Sequence, residues 1–276
     1  MAQNQNTEYK KLKNLIKTDK FEIISNCLAY DVCILSNNNI LATTYNSICI
    51  LNEKFEVLRK KELYHGYAKG CVLSPQKNKI YISNHHDGCI DLYDYELNKE
   101  LGKSVGSEGS GKNQFYGIGR MTWYESNLYV CDELNKRIQV LRFNDTEESL
   151  EFVDEIKLDD IPYTIKISND MIGLSCNSGS YFYELRTKKL KFEFETFYGS
   201  MNLINSIFVV TQSSLIKETP RDEILLIDLK SNQGPIIAGI IKISKKLKDY
   251  ISRENLTKYH FINYNSKILV YSQITW

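Results

Sequence analysis

A short apolar strand, a polar turn rich in Asn and a second apolar strand recur six times along this chain, and no other feature narrows its fold as far. The second strands read NNILATTY around Ile40, NKIYISNH around Ile80, SNLYVCDE around Leu128, DMIGLSCN around Ile172, NSIFVVTQ around Ile207 and SKILVYSQ around Ile268. Their spacings are 40, 48, 44, 35 and 61 residues. A period of roughly 40–50 residues with about four short strands per unit is that of a β-propeller blade. The physical reason is burial, because a four-stranded antiparallel sheet cannot cover its own two faces and must stack against neighbours. Six anchors in 276 residues predict an all-β fold, a six-bladed β-propeller of four-stranded antiparallel blades. The 19 Tyr and 11 Phe, set against four Pro, suit strands.

The chain ends at Trp276, just past the second strand of the sixth unit, so that unit is short of outer strands. The run KFEIIS (Lys20 to Ser25) precedes the first complete unit and has no blade of its own. It is expected to pair into the last blade and close the ring, removing two sheet edges. Residues 1–18 read as a tail, a linker or a short helix, and 19–276 as a single propeller domain. Two insertions bend the period: QSSLIKETPRDE (Gln212 to Glu223) and the Lys-rich KISKKLKDYISRENLTK that delays the sixth unit.

Charge and cysteine usage bound the function classes. Lys+Arg is 35 and Asp+Glu 34, a net charge of +1, without the basic excess of a non-specific nucleic-acid binder. Cys27, Cys33, Cys49, Cys71, Cys89, Cys131 and Cys176 are odd in number and hold no C-x-x-C pair, as expected of reduced thiols on core strands. The start MAQNQNTEYKKLKNLIK lacks an apolar core and no apolar run approaches 18 residues. The expectation is a monomeric cytoplasmic protein with no membrane partner.

From Gly102 to Phe143 the chain runs GKSVGSEGSGKNQFYGIGRMTWYESNLYVCDELNKRIQVLRF. This resembles the NHL repeat: a Gly-rich approach with a Gln-Phe pair, then hydrophobic-Tyr-Val-x-Asp, then Asn-His-Arg-Ile-Gln-Val. The matching positions are Gly106, Gly109, Gln114, Phe115, Gly119, Leu128, Tyr129, Val130, Asp132, Asn135, Arg137, Ile138, Gln139 and Val140, with Lys136 in place of the usual His. Repeat two keeps the outline, with Asn84, Asp87 and Cys89 where Asp132, Asn135 and Arg137 stand. The other repeats agree in strand pattern and spacing, not in signature residues. The chain thus resembles a divergent NHL propeller, such as the one that ends tripartite-motif ubiquitin ligases. The RING, B-box and coiled coil of those ligases have no counterpart here, since there is no zinc-spaced Cys/His cluster and no heptad run. The resemblance implies binding of a protein or of single-stranded RNA on one face of the ring.

No catalytic set emerges. Asp132 and Arg137 lie five residues apart across a strand turn, and with Asn135 they are expected to brace it by a charge-assisted hydrogen bond. The face formed by second-to-third-strand turns and interblade links collects Tyr45, His65, Tyr67, His85, His86, Phe115 and Tyr116. Counting nine residues back from Ile172, Ile207 and Ile268 reaches Tyr163, Tyr198 and Tyr259, and the same count reaches Asp31 in repeat one and Gly119 in repeat three. Those tyrosines read either as a ring at the channel mouth, suited to protein anchoring or base stacking, or as packing between blades. The adjacent His85 and His86 point opposite ways on an extended chain and do not suit a metal, and His65 and His260 lie in other repeats. The inner strands VCILS, CVLSP, RMTWY, TIKIS and NLINS offer few metal ligands, Asn202 and Asn205 being isolated, so no metal and no cofactor is expected. RTKKLKF and KISKKLK read as solvated surface; a basic patch would instead join Arg120, Lys136 and Lys69 on the aromatic face.

The expected function is a non-enzymatic binding module presenting one face to a protein partner, in the manner of substrate recognition for a ubiquitin ligase. The alternatives are sequence-specific single-stranded RNA binding on that face and, third, a lactonase or lyase holding a metal in the channel.

Overall fold

The computed structural model describes residues 21–63, 67–76, 78–100, 104–144, 149–194, 200–204, 207–211, 223–228, 236–242, 258–264 and 267–273. Among these, side chains are described for the residues between Ala29 and Phe194, for 201–203 and for Phe208. The expected helix or tail over residues 1–18 and both insertions fall outside these residues, apart from strand ends. All 24 described elements are β-strands.

Each sequence anchor lies on the second strand of an antiparallel sheet, and each inner strand named above is the first. Repeat one is β2 (Asp31–Ile34), β3 (Ile40–Thr43), β4 (Ser47–Leu51) and β5 (Val57–Glu62) in that order. Repeat two is β6 (Ala68–Leu73), β7 (Ile80–Asn84) and β8 (Cys89–Tyr93). Bridges from Lys99 to Tyr93 and from Val105 to Ile90 cover the outer edge of β8, where a fourth strand would run. A short parallel pair, β9 (Ser107–Glu108) and β10 (Gln114–Phe115), leads into repeat three: β11 (Ile118–Tyr124), β12 (Asn127–Asp132), β13 (Arg137–Asn144) and β14 (Ser149–Lys157). Repeat four is β15 (Pro162–Ser168), β16 (Met171–Cys176), β17 (Ser180–Glu184) and β18 (Leu190–Phe194). Repeat five is β19 (Ser200–Ile204), β20 (Ile207–Thr211), β21 (Glu223–Asp228) and β22 (Ile236–Lys242). The last sheet holds β23 (Lys258–Tyr264), β24 (Lys267–Gln273) and, on the far side of β24, β1 (Phe21–Leu28). From Phe21 onward the run KFEIIS therefore belongs to a strand that continues to Leu28 and joins the C-terminal hairpin.

The chain divides into two compact units, residues 26–165 and residues 1–25 with 166–276, the boundaries falling inside β1 and β15. Within the first, the strands are sandwiched, which is why they read as continuous apolar runs rather than clean alternations. On β7, Ile80 and Ile82 join Leu41, Ile48, Ile50 and Cys71 in a core between repeats one and two. The intervening Tyr81 points the other way and joins Phe115, Met121, Leu128 and Val130 in a core between repeats two and three. The two-residue side-chain period thus feeds two interfaces from one strand. In the second unit, Phe182, Met201 and Phe208 form the equivalent cluster between repeats four and five.

Strand pairing corrects one part of the repeat alignment. The hairpins that open repeats three, five and six close through the pairs Tyr124↔Asn127, Ile204↔Ile207 and Tyr264↔Lys267. Ile207 is therefore the counterpart of Asn127 and Lys267, and the residue equivalent to Leu128 and Ile268 is Phe208. Counting nine back from Phe208 reaches Gly199 rather than Tyr198, so the three tyrosines are not one register-equivalent set. Residue counting also misplaces Gly119. Cys71 stands opposite Ile82, and the residue opposite the equivalent Val130 is Met121, because the β6–β7 connection is longer and β11 carries a bulge.

Candidate ligand-binding face

The Gly-rich approach and the Asp132 turn form one buried knot. Asp132, fully buried, accepts hydrogen bonds from Arg137 Nε (2.7 Å), Asn135 Nδ2 (3.0 Å), Gln139 Nε2 (3.1 Å) and the Tyr116 amide (2.8 Å). Arg137 continues to Glu155 (2.9 Å) and donates to the carbonyls of Gly111 (2.7 Å) and Gln114 (3.0 Å), while Asn135 donates to that of Gly109 (2.8 Å). The knot fastens the 106–117 loop to the β12–β13 hairpin and sets the position of Tyr116. The Asp132 carboxylate and the Arg137 guanidinium are both engaged within it, and its chemistry is that of a brace.

Beside it lies a strip of aromatic and apolar side chains. Tyr45, in the turn after β3, is 41% exposed, and its ring meets that of Tyr67 edge-on with centroids 4.5 Å apart. Tyr67 in turn faces His85 at 5.6 Å and Tyr30 at 6.1 Å. The backbone enforces this order, since the Tyr67 amide donates to the Tyr45 carbonyl and the His85 amide to the Tyr67 carbonyl (2.9 Å). Tyr67 is held at φ +67°, a left-handed conformation that a bulky residue adopts only under constraint. The strip continues across Gly117. A Cβ placed there would lie 3.0 Å from His85 Cε1 and 3.2 Å from Leu134 Cγ. Leu134 (50% exposed) and Tyr116 (49% exposed) are joined by a backbone hydrogen bond of 2.9 Å.

Under the strip run two ion pairs. Lys69 Nζ meets the buried Glu133 Oε2 at 2.7 Å. Arg120, also buried, lies 3.7 Å from Asp31 and donates to Thr164 Oγ1 (3.0 Å) and to the Tyr30 carbonyl. Asp31 Oδ2 accepts the Cys71 amide (3.1 Å), so one carboxylate and one guanidinium connect repeats one, two and three with Thr164 at the start of β15. The imidazole of His85 approaches the Ile118 carbonyl through Nδ1 (3.0 Å); burial and then the Lys69 ammonium push its pKa down to about 4. It is neutral at physiological pH. Burial and the neighbouring Tyr45 raise the Tyr67 phenol.

The strip therefore brings together Tyr45, Tyr67, His85 and, across Gly117, Tyr116 from three repeats, while the neighbouring His86 is exposed and bonded to Asp87 (3.2 Å). Phe115 does not belong to it. It is fully buried in the core between repeats two and three, because the knot folds its strand inward. Of the alternative basic patch of Arg120, Lys69 and Lys136, the first two are engaged in ion pairs and Lys136 donates to the Asp159 carbonyl (3.2 Å). Tyr163 is half-buried on β15, and Tyr259 on β23 stands opposite Ser272. His65 and Tyr198 lie outside the described residues. Sequence reading missed Leu134, although an apolar residue inside the polar turn DELNKR was a signal for it. It also missed the Asp31–Arg120 and Lys69–Glu133 pairs, whose members are far apart in the chain. Six cysteines are thiols rather than disulfide halves, and burial raises those of Cys49 and Cys89, the latter to about 12 with help from Asp91, which disfavours their thiolates. Among the described residues, no group of three His, Cys, Asp or Glu side chains is arranged to hold a metal ion. Nor is any helix there long and apolar enough to cross a membrane.

No protein-family model matches the chain, and no curated protein does. Solved structures do. Hydrazine synthase of Kuenenia stuttgartiensis is similar over 75% of this chain and 64% of its own, with a TM-score of 0.53 and 11% identity. A Bacteroides uniformis ATCC 8492 protein assigned as a 6-phosphogluconolactonase is similar over 77% of this chain and 71% of its own, with a TM-score of 0.56 and 12% identity. The chain thus spans less than two thirds of the hydrazine synthase chain. At these identities the likeness is one of fold alone: a propeller-like array of antiparallel sheets. Both neighbours carry enzyme names, which runs against the expectation of a non-enzyme without bearing on catalysis in this chain.

Proposed function

We propose that the chain is a divergent NHL-type propeller of six blades, its ring closed by β1 in the last sheet, and that it works as a non-enzymatic binding module docking a protein partner on the Tyr45–Tyr116 face. The observation that carries this reading is the contiguous strip Tyr45, Tyr67, His85, Leu134 and Tyr116, partly exposed, preorganised by the backbone and underlain by self-neutralised ion pairs. Rigid aromatic side chains anchor protein interfaces at low entropic cost. Single-stranded RNA binding needs cations free to meet phosphates beside the stacking rings, and Lys69 and Arg120 are committed elsewhere. A cytoplasmic setting accords with six cysteines in the thiol form. A catalytic reading rests on the names of the two neighbours and is open to direct assay of sugar-lactone hydrolysis with and without added divalent metal.

The test is affinity capture with the full chain beside a Tyr45→Ala/Tyr116→Ala/Leu134→Ala variant, with and without RNase. Capture of a defined protein that is lost in the variant and indifferent to RNase supports protein docking. Capture abolished by RNase sinks it in favour of RNA.

A further inference from the structure

The charge around the strip specifies the partner further. Three carboxylates rim the part built by repeats two and three. Asp87 sits in the turn beside His86. Glu108 has its backbone against Gly88 of the same turn, where an added Cβ would lie 2.8 Å from Glu108 Cα. Asp159 is held next to the β12–β13 turn through its carbonyl and Lys136. All three side chains are exposed; of the nearby lysines, Lys136 is bonded to the Asp159 carbonyl, Lys112 lies over the Phe152 ring and Lys157 faces Glu155. The middle of the strip adds no net charge, since Lys69 and Glu133 cancel and His85 is neutral.

The result is an apolar track with an acidic rim. The ring-to-ring steps of 4.5 and 5.6 Å and the further step over Gly117 to Leu134 give it the length of roughly five residues of extended chain, at about 3.3 Å per residue. We propose that this track takes an extended apolar segment of a partner protein flanked by lysine or arginine, with alternate apolar side chains set against Tyr45–Tyr67 and against His85–Leu134–Tyr116. The inference rests on the protein-docking reading above. It adds the conformation and charge of the bound segment. Like-signed rims repel a nucleic-acid backbone and an acidic peptide alike, so the rim acts on specificity and encounter rate more than on the apolar contact itself.

The probe is a phage-displayed library of random dodecapeptides selected on the immobilised full chain, followed by solution binding of the enriched peptides and of poly(U). Enriched sequences are expected to alternate apolar residues and to carry flanking Lys or Arg. Their binding should fall at least tenfold in Tyr67→Asn and in Glu108→Lys/Asp159→Lys, and weaken with salt. If peptides enrich that depend on Tyr67 but show no basic flank, the charge assignment is overturned while the docking face stands. If nothing enriches, if no enriched peptide depends on Tyr67, or if poly(U) binds in their place, both readings fall. Tyr67→Asn accepts positive φ readily, which separates loss of the ring from loss of the fold.

Discussion

Asp132 shows how one buried carboxylate can organise forty residues of chain. It accepts from Arg137, Asn135, Gln139 and the Tyr116 amide, and no water-facing position is left on it. Asp132→Ala removes the shared acceptor of Arg137 Nε, Asn135, Gln139 and the Tyr116 amide, Arg137 keeping Glu155, and is expected to cost about 3 kcal/mol in urea unfolding, whereas surface substitutions nearby stay within about 0.5 kcal/mol. Lys136 and Gly88 occupy the same place in successive repeats, at φ +49° and +60°. Lys136→Gly should stabilise the protein by up to about 1 kcal/mol, while Gly88→Ala destabilises it, since the new Cβ would fall 2.5 Å from the Phe115 carbonyl oxygen. His85 sets the acid response. Its folded pKa of about 4 lies below the ordinary 6.5, so the unfolded chain takes up the proton first. Its contribution is complete above about pH 6.5 and is lost as pH falls toward 4, amounting to roughly 2 kcal/mol between pH 7 and 5. In His85→Gln that part of the pH dependence of unfolding should vanish; an unchanged slope would place the acid sensitivity elsewhere.

At the level of the hairpin, repeats two and three solve the same problem with exchanged parts. In repeat three the carboxylate is on the second strand and the amide on the third, Gln139 Nε2 donating to Asp132. In repeat two the amide is on the second strand and the carboxylate on the third, Asn84 Nδ2 donating to Asp91 at 3.4 Å. Cys89 takes the place of Arg137, and the cation comes instead from Lys99, 2.8 Å from Asp91. Asn84→Asp and Asp91→Asn should each destabilise, and the double variant, which restores repeat three's polarity, should recover at least about 1 kcal/mol of the summed loss in a double-mutant cycle. Strict additivity would mean that the two residues do not act as a pair. The outer hairpins repeat as well. Asn52 Oδ1 accepts the amides of Lys54 and Glu56, and Asp94 Oδ1 those of Glu96 and Asn98, with Phe55 and Leu97 both at positive φ. These equivalences are hidden in the sequence, because Asn and Asp, or Phe and Leu, satisfy one geometry without sharing a letter.

For the whole chain, the decisive connection is that of β1 with β24, its first strand with its last. Removing residues 1–28 leaves the edge of β24 uncovered. It should lower the melting temperature and promote association through that edge, read by thermal melts and light scattering. A truncated chain that melts like the full one would show that β1 contributes little to the fold. The strand order, the period and the all-β character were legible in the sequence because each strand carries its own signal, a short apolar run between polar turns, whatever its partners. So was the Asp132–Arg137 brace, whose members are five residues apart. Strand register was not legible, since turns of different length slide residue counts, as Ile207 and Gly119 show. Nor were the Phe115 burial, the Arg120–Asp31 pair across repeats, or the strip from Tyr45 to Leu134. Those depend on which faces meet when sheets stack, and a local pattern carries the period of a strand but not the identity of its neighbour across the packed interface.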